Sequence, residues 1–134
     1  MTPFPLKIVT PDGMEFEGMV EELIVRTTTG DLGILAGHIP CVAPLGMGRA
    51  TIVEDGKKRY AACIGGMLSV SPSGVTLVPT TFEFAEDIDA ARVEASYQRA
   101  QKILDNKDAS GTDIKLAEAR LRRALVRRSV VTTK

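Results

Sequence analysis

Two rows of charged side chains late in the sequence carry its most specific chemistry. Asp89, Arg92, Ser96 and Arg99 recur three or four positions apart, so a helix puts them on one face. Arg123 and Arg127 are four apart and share a face of a second helix. Antiparallel pairing of the two helices brings the stripes together and gathers several guanidinium groups. Like charges so gathered call for an anion, and a triphosphate answers that need through bidentate hydrogen bonds. Asp89 then stands ready to accept from a ribose or an adenine. The competing reading is a set of Arg–carboxylate surface pairs with no ligand.

Other candidates fall away. His38 is the single His, with no carboxylate cluster around it in sequence, so neither a metal site nor His-based catalysis is expected. Cys41 and Cys63 have no metal or redox spacing and read as small apolar fillers in a reducing compartment. No nucleophile–base set or carboxylate dyad is evident, so no enzyme is expected. Gly30, Gly33 and Gly37 permit unusual backbone angles, but no Lys-Ser/Thr follows them and no helix start is there to receive phosphate. In that glycine-rich loop, Leu32, Ile34 and Leu35 either tuck under the body of the protein or form a sticky tip.

The charged stripes need helices, and the pattern turns helical only from Asp87. Asp87 or Asp89 caps a first helix whose face carries Val93, Tyr97, Ala100 and Leu104. Residues 105–112 are polar, contain Gly111 and read as a helix–helix turn. Ile114, Ala117, Leu121, Ala124 and Leu125 mark the face of a second helix, antiparallel to the first. That seam is narrow and alanine-rich, so the hairpin is expected to be weakly held and able to open. Earlier residues read as strands. Phe4, Leu6 and Ile8 alternate with smaller or polar residues, and Pro11-Asp12-Gly13 turns the chain into Met14-Glu15-Phe16. Further β-rich runs cover residues 20–27, 49–54, 59–64, 67–70 and 75–78, with Asp55-Gly56 as a hairpin turn. The expected fold is α+β: an antiparallel β-sandwich or flattened barrel over residues 1–86, then a two-helix hairpin over residues 87–134.

The chain has 134 residues, 44% of them hydrophobic, with 17 basic and 17 acidic residues and zero formal net charge. Global charge gives no reason to expect nucleic acid, and the Arg-rich end lacks interleaved aromatics. The balance hides an asymmetry. Residues 1–86 carry −4, with 6 Lys/Arg against 10 Asp/Glu; residues 113–134 carry +5, with 7 against 2. The partner of the basic end is expected to be acidic. No apolar run approaches the ~20 residues of a bilayer span, and the start lacks signal-peptide character. A cytoplasmic protein is expected.

The stretch Gly30-Asp31-Leu32-Gly33-Ile34-Leu35-Ala36-Gly37-His38-Ile39-Pro40 resembles the signature of the epsilon subunits of bacterial F-type ATP synthases. Val9-Thr10-Pro11-Asp12-Gly13 resembles that family too. So does Tyr60-Ala61-Ala62-Cys63-Ile64-Gly65-Gly66-Met67-Leu68-Ser69-Val70, followed by Val75-Thr76-Leu77-Val78. The match runs along essentially the whole chain. Ala36 stands where the family often has Pro, and Ile64 where it often has Ser.

The resemblance implies a non-catalytic rotor subunit, peripheral on the cytoplasmic face of the bacterial membrane without inserting into it. It implies contacts to the c-ring through Thr29, Gly30, Asp31 and Leu32, and to the gamma subunit through Thr10, His38 and Val42. It implies a helical pair that rests on the sandwich or extends into the alpha/beta hexamer to block hydrolysis. In the extended state Lys115, Arg120, Arg122, Arg123, Arg127 and Arg128 meet acidic segments of the catalytic subunits. Some family members bind ATP as a regulatory ligand through Ile/Leu-Asp-x-x-Arg-Ala. Here that motif reads Ile88-Asp89-Ala90-Ala91-Arg92-Val93, with Val93 in place of Ala. Glu83 and Arg99 stand at matching positions, and the two arginines of the second helix fall at Arg123 and Arg127, with Arg122 a rival to Arg123. A stand-alone ATP-binding adaptor with the same site but no synthase is the alternative.

Overall fold

The computed structural model describes residues 1–132. Ten strands are arranged in two five-stranded sheets. The first contains β1 (Phe4–Thr10), β2 (Gly13–Val20), β5 (Cys41–Pro44), β8 (Met67–Ser71) and β9 (Gly74–Val78), in the order β2-β1-β9-β8-β5. The second contains β3 (Glu22–Thr27), β4 (Gly30–Ile34), β6 (Met47–Glu54), β7 (Lys57–Ile64) and β10 (Thr81–Phe84), in the order β10-β7-β6-β3-β4. The strands pair antiparallel except where β1 lies parallel to β9, with Leu6 opposite Val75 and Ile8 opposite Leu77.

Alternation builds the sandwich. Phe4, Leu6 and Ile8 point inward and are buried while Pro5 and Lys7 are exposed, as the period of two requires. They meet Leu23, Val25, Ile52, Ala61 and Leu77 in one apolar core between the sheets. Asp55 and Gly56 both take positive φ, 52° and 76°, so the β6–β7 hairpin turns in the sense that matches strand twist.

Three strands escape the sequence pattern. The glycine-rich segment expected to be a loop forms β4 instead, paired with β3 so that Val25 faces Leu32 and Leu23 faces Ile34. Ile34 is buried in the core, whereas Leu35 and Ile39 just beyond it are exposed. The short strands β5 and β10 carry no clear sequence signal either, since four residues give too little alternation to register. The run expected over residues 20–27 is divided at Glu21, where the chain passes from one sheet to the other.

After β10 a single 3₁₀ turn, Ala85–Asp87, leads into α1 (Ala90–Asp105) and α2 (Gly111–Thr132). Of the two candidate caps, Asp89 does the work: its Oδ1 accepts from the Arg92 amide at 3.1 Å. Ser110 Oγ accepts from the Asp113 amide at 3.1 Å at the start of α2. Gly111 therefore lies in the helix and not in the turn. Val93, Ala100, Ala117 and Ala124 are buried on the facing sides. Leu125, expected on the same face, is exposed; it follows Ala124 directly and is rotated ~100° away from it. Val130 holds the buried position further along.

The helices have an apolar cluster of their own. Val93, Ala124 and Val130 pack with Ile88, Ala85 and Ala62. Ala61 and Ala62 are neighbours on β7, and alternation sends them to different clusters: Ala61 to the sandwich core, Ala62 to the helices. The outer face of the second sheet is thus the seat on which α2 lies. No helix among the described residues is long and apolar enough to cross a membrane.

Candidate functional site

Where α1 and α2 meet the end of β10, a cleft of about 350 Å³ opens. Its floor is apolar, built from Ile88, Val93 and Ala124. Its walls carry Arg92 and Arg99 from α1, Arg127 from α2, and the carboxylates of Glu83, Asp87 and Asp89. Helical spacing aims Arg92, Ser96 and Arg99 the same way, and the Asp89 cap fixes where that helix begins. Arg127 Nε donates to Glu83 Oε1 at 2.7 Å, joining α2 to β10. The Arg92 and Arg99 guanidiniums have no carboxylate partner among the described residues.

A second cleft of about 320 Å³ adjoins the first and shares Ser96, Arg99 and Arg127 with it. Arg123 lines this second cleft and not the first; its rival Arg122 is exposed and lines neither. Of the residues read as a nucleotide site, Glu83, Ile88, Asp89, Arg92, Val93, Arg99 and Arg127 therefore gather around one opening, with Arg123 next door. Asp87 and Ser96 join them; Ser96 belongs to the charged stripe of α1, whereas the sequence around Asp87 signals only a helix cap.

Thr29, Gly30, Asp31 and Leu32 form the β3–β4 hairpin tip. Thr27 Oγ1 donates to the Gly30 carbonyl at 2.7 Å and accepts from the Thr29 amide at 3.2 Å. Asp31 is exposed and paired through Oδ1 with Arg26 Nε at 2.7 Å. Sequence reasoning missed Arg26, although a hairpin closing at residues 28–29 sets it directly opposite Asp31. Gly48 makes room for it: a Cβ there would stand 2.6 Å from the Arg26 Cβ.

Thr10, His38 and Val42 do not form one cluster. Thr10 ends β1, buried, its hydroxyl donating to Glu15 Oε1 at 3.1 Å. Val42 lies on β5, separated from β1 by β9 and β8 in the first sheet, and is 68% exposed. His38 sits in the loop before β5, with Nδ1 2.8 Å from the Ile39 carbonyl oxygen. Exposed Met14, Met19, Met67 and Val78 make the surroundings of this sheet apolar.

On α2, Lys115, Arg120 and Arg122 are exposed. Arg128 is held by Glu94 at 3.4 Å and stacks over Tyr97 at 4.3 Å from the ring centroid. The helix faces therefore divide the basic residues into tethered and free sets.

A family model for the beta-sandwich domain of the ATP synthase delta/epsilon chain matches residues 3–85, and one for its long alpha-helix domain matches residues 86–131. The chain belongs to the ATP synthase epsilon family. The epsilon chain of Bacillus velezensis is 45% identical over 130 residues, covering 97% of this chain and 98% of that one. That of Caldanaerobacter subterraneus is 41% identical, covering 96% and 94%. A chain of the Euglena gracilis mitochondrial ATP synthase shares the fold, with a TM-score of 0.84 at 22% identity over 98% of this chain and 82% of that one. Epsilon chains are stalk subunits and not themselves catalytic. The sandwich and helical pair are the expected fold of the epsilon family.

Proposed function

We propose that this chain joins the gamma subunit to the c-ring in the central stalk of an F-type ATP synthase, and that its helical pair senses ATP and restrains hydrolysis. The work would be done at the cytoplasmic face of the bacterial membrane, without insertion. The observation that carries the regulatory part is the cleft between Arg92, Arg99 and Arg127, which exists only while the hairpin lies on the sheet. A ligand held there favours the resting state by mass action, by about 2.7 kcal/mol at 100 times its dissociation constant.

The roles follow from chemistry. The guanidiniums of Arg92, Arg99 and Arg127 take phosphate oxygens, with Arg123 beside them. Asp89 accepts from ribose or adenine, and Ile88 and Val93 offer the base an apolar surface. Glu83 holds Arg127 in reach. Without nucleotide the pair leaves its seat. Arg127 and Arg128 then exchange Glu83 and Glu94 for acidic groups of the alpha/beta hexamer, joined by Lys115, Arg120, Arg122 and Arg123. Individual exposed pairs contribute little, but several biased together shift a two-state equilibrium. At the other end, the tip at Thr29–Leu32 meets the c-ring, and the apolar first sheet with Thr10, His38 and Val42 meets gamma.

Two measurements test this. Calorimetric titration of the folded protein with ATP must show saturable binding; no heat at millimolar ATP removes the sensing role. In the reconstituted synthase, deleting residues 87–134 must raise ATPase activity, and unchanged activity removes the restraining role.

A further inference from the structure

The two adjoining clefts differ in charge. The first carries three carboxylates, Glu83, Asp87 and Asp89, among its arginines. The second carries Arg99, Arg120, Arg123 and Arg127 and no carboxylate. It is framed by two stripes of identical spacing, Ser96, Arg99 and Ile103 on α1 and Arg120, Arg123 and Arg127 on α2. Facing each other, these stripes are what antiparallel helices place side by side. Three arginines away from the two clefts are paired: Arg26 with Asp31, Arg59 with Glu86, Arg128 with Glu94. Arg99, Arg120 and Arg123 have no carboxylate partner among the described residues. Three uncompensated guanidiniums held around one opening repel one another, and a multivalent oxyanion relieves that repulsion.

We propose that the second cleft takes the far end of a condensed phosphate chain entering from the first, and that Arg120 is the residue that makes the site prefer a triphosphate to a diphosphate. This rests on the nucleotide reading above for the ligand of the first cleft, though the charge of the second stands by itself. The gradient gives the ligand a direction. The carboxylates of the first cleft repel phosphate and suit hydroxyl or amine donors, so the nucleoside lies toward Asp89. Arg92, Arg99 and Arg127 take the nearer phosphates, and Arg120 and Arg123 remain for the terminal one. Arg120 stands one turn beyond Arg123, furthest from Glu83 and Asp89, so a shorter chain stops before reaching it.

The test is calorimetry on the full chain with ATP, ADP and inorganic tripolyphosphate, for wild type, Arg120→Ala and Lys102→Ala. Arg120 is exposed, so the variant is expected to keep its circular dichroism and melting temperature. Lys102, an exposed cation of α1 that lines neither cleft, controls for general loss of positive charge. The expected result is an ATP affinity about 10-fold weaker in Arg120→Ala, with ADP affinity unchanged and Lys102→Ala like wild type. Tripolyphosphate that binds alone and is weakened by the same substitution assigns the cleft to condensed phosphate as such. ATP discrimination without tripolyphosphate binding assigns it to the tail of a nucleotide. An unaltered ATP-to-ADP ratio in Arg120→Ala overturns the inference and leaves the nucleotide reading standing. Wild type that binds neither nucleotide overturns the nucleotide reading, and tripolyphosphate binding sensitive to Arg120 would still uphold the second cleft.

Discussion

Arg127 and Glu83 lie 44 residues apart in sequence and 2.7 Å apart in space, so the last helix is tied by charge to the last strand. The pair is only half-buried, which limits its worth to about 1 kcal/mol or less. Glu83→Gln keeps the shape and removes the charge. Amide exchange over residues 120–132 should then quicken by up to about 5-fold, while β1 and β9 keep their protection. Unchanged exchange in α2 would show that apolar contact alone seats the helix.

Ala61 and Ala62 offer a sharper separation of the two apolar clusters. Both are fully buried, one under the sandwich and one under α2. Leu at either position overpacks its site by about 1–3 kcal/mol. In Ala62→Leu the strain falls on the helix seat, so helical circular dichroism should be lost at lower temperature than sandwich structure. In Ala61→Leu the sandwich itself should melt earlier. Identical two-probe melts for both variants would mean the clusters unfold as one.

How much of this was legible beforehand depends on the length over which a pattern could repeat. Phe4, Leu6 and Ile8 announce β1 because three alternations precede a turn, and Asp55-Gly56 announces its hairpin because few residues tolerate those angles. The strands β4, β5 and β10 did not announce themselves. In β4 glycines occupy two of the five positions, and what makes it a strand is its partner β3. The charged stripe on α1 was legible because helical period alone aligns Asp89, Arg92, Ser96 and Arg99. The adjoining position of Arg123, and the exposure of Leu125, were not, because they depend on the rotation of α2 about its axis on the sheet. That rotation turns Ala117 and Ala124 into the buried seam.

Gly66 is fixed by tertiary structure more than any other residue of its loop. It has φ +94°, and a Cβ there would overlap the Val78 carbonyl oxygen and stand 2.6 Å from Pro79 Cα. Its own carbonyl accepts from the Leu45 amide at 2.8 Å. Gly66→Ala should therefore cost at least about 3 kcal/mol, adding backbone strain to a backbone clash. Gly13→Ala is the comparison: φ is +121°, but nothing lies within 4 Å of the added Cβ. It should cost only the strain, about 1–2 kcal/mol. Urea denaturation that gave the two variants equal midpoints would contradict the packing argument.

Cys63 gives the fold a dependence on alkaline pH. Burial in the sandwich core pushes its thiol from 9.0 up to about 12, because the thiolate would lose its hydration there. The folded state therefore keeps the proton that the unfolded state releases above pH 9. The stabilising contribution is complete below pH 9 and is lost as pH rises from 9 to about 12, with a slope approaching ~1.4 kcal/mol per pH unit. The informative quantity is the difference between wild type and Cys63→Ala, which isolates the thiol. That difference should shrink steadily across the window as the wild type loses its extra stability. The same burial predicts that iodoacetamide at pH 8 labels half-buried Cys41 first and reaches Cys63 only after the sandwich is unfolded in denaturant. Equal labelling of both thiols in the native protein would show that the core opens far more readily than its packing implies.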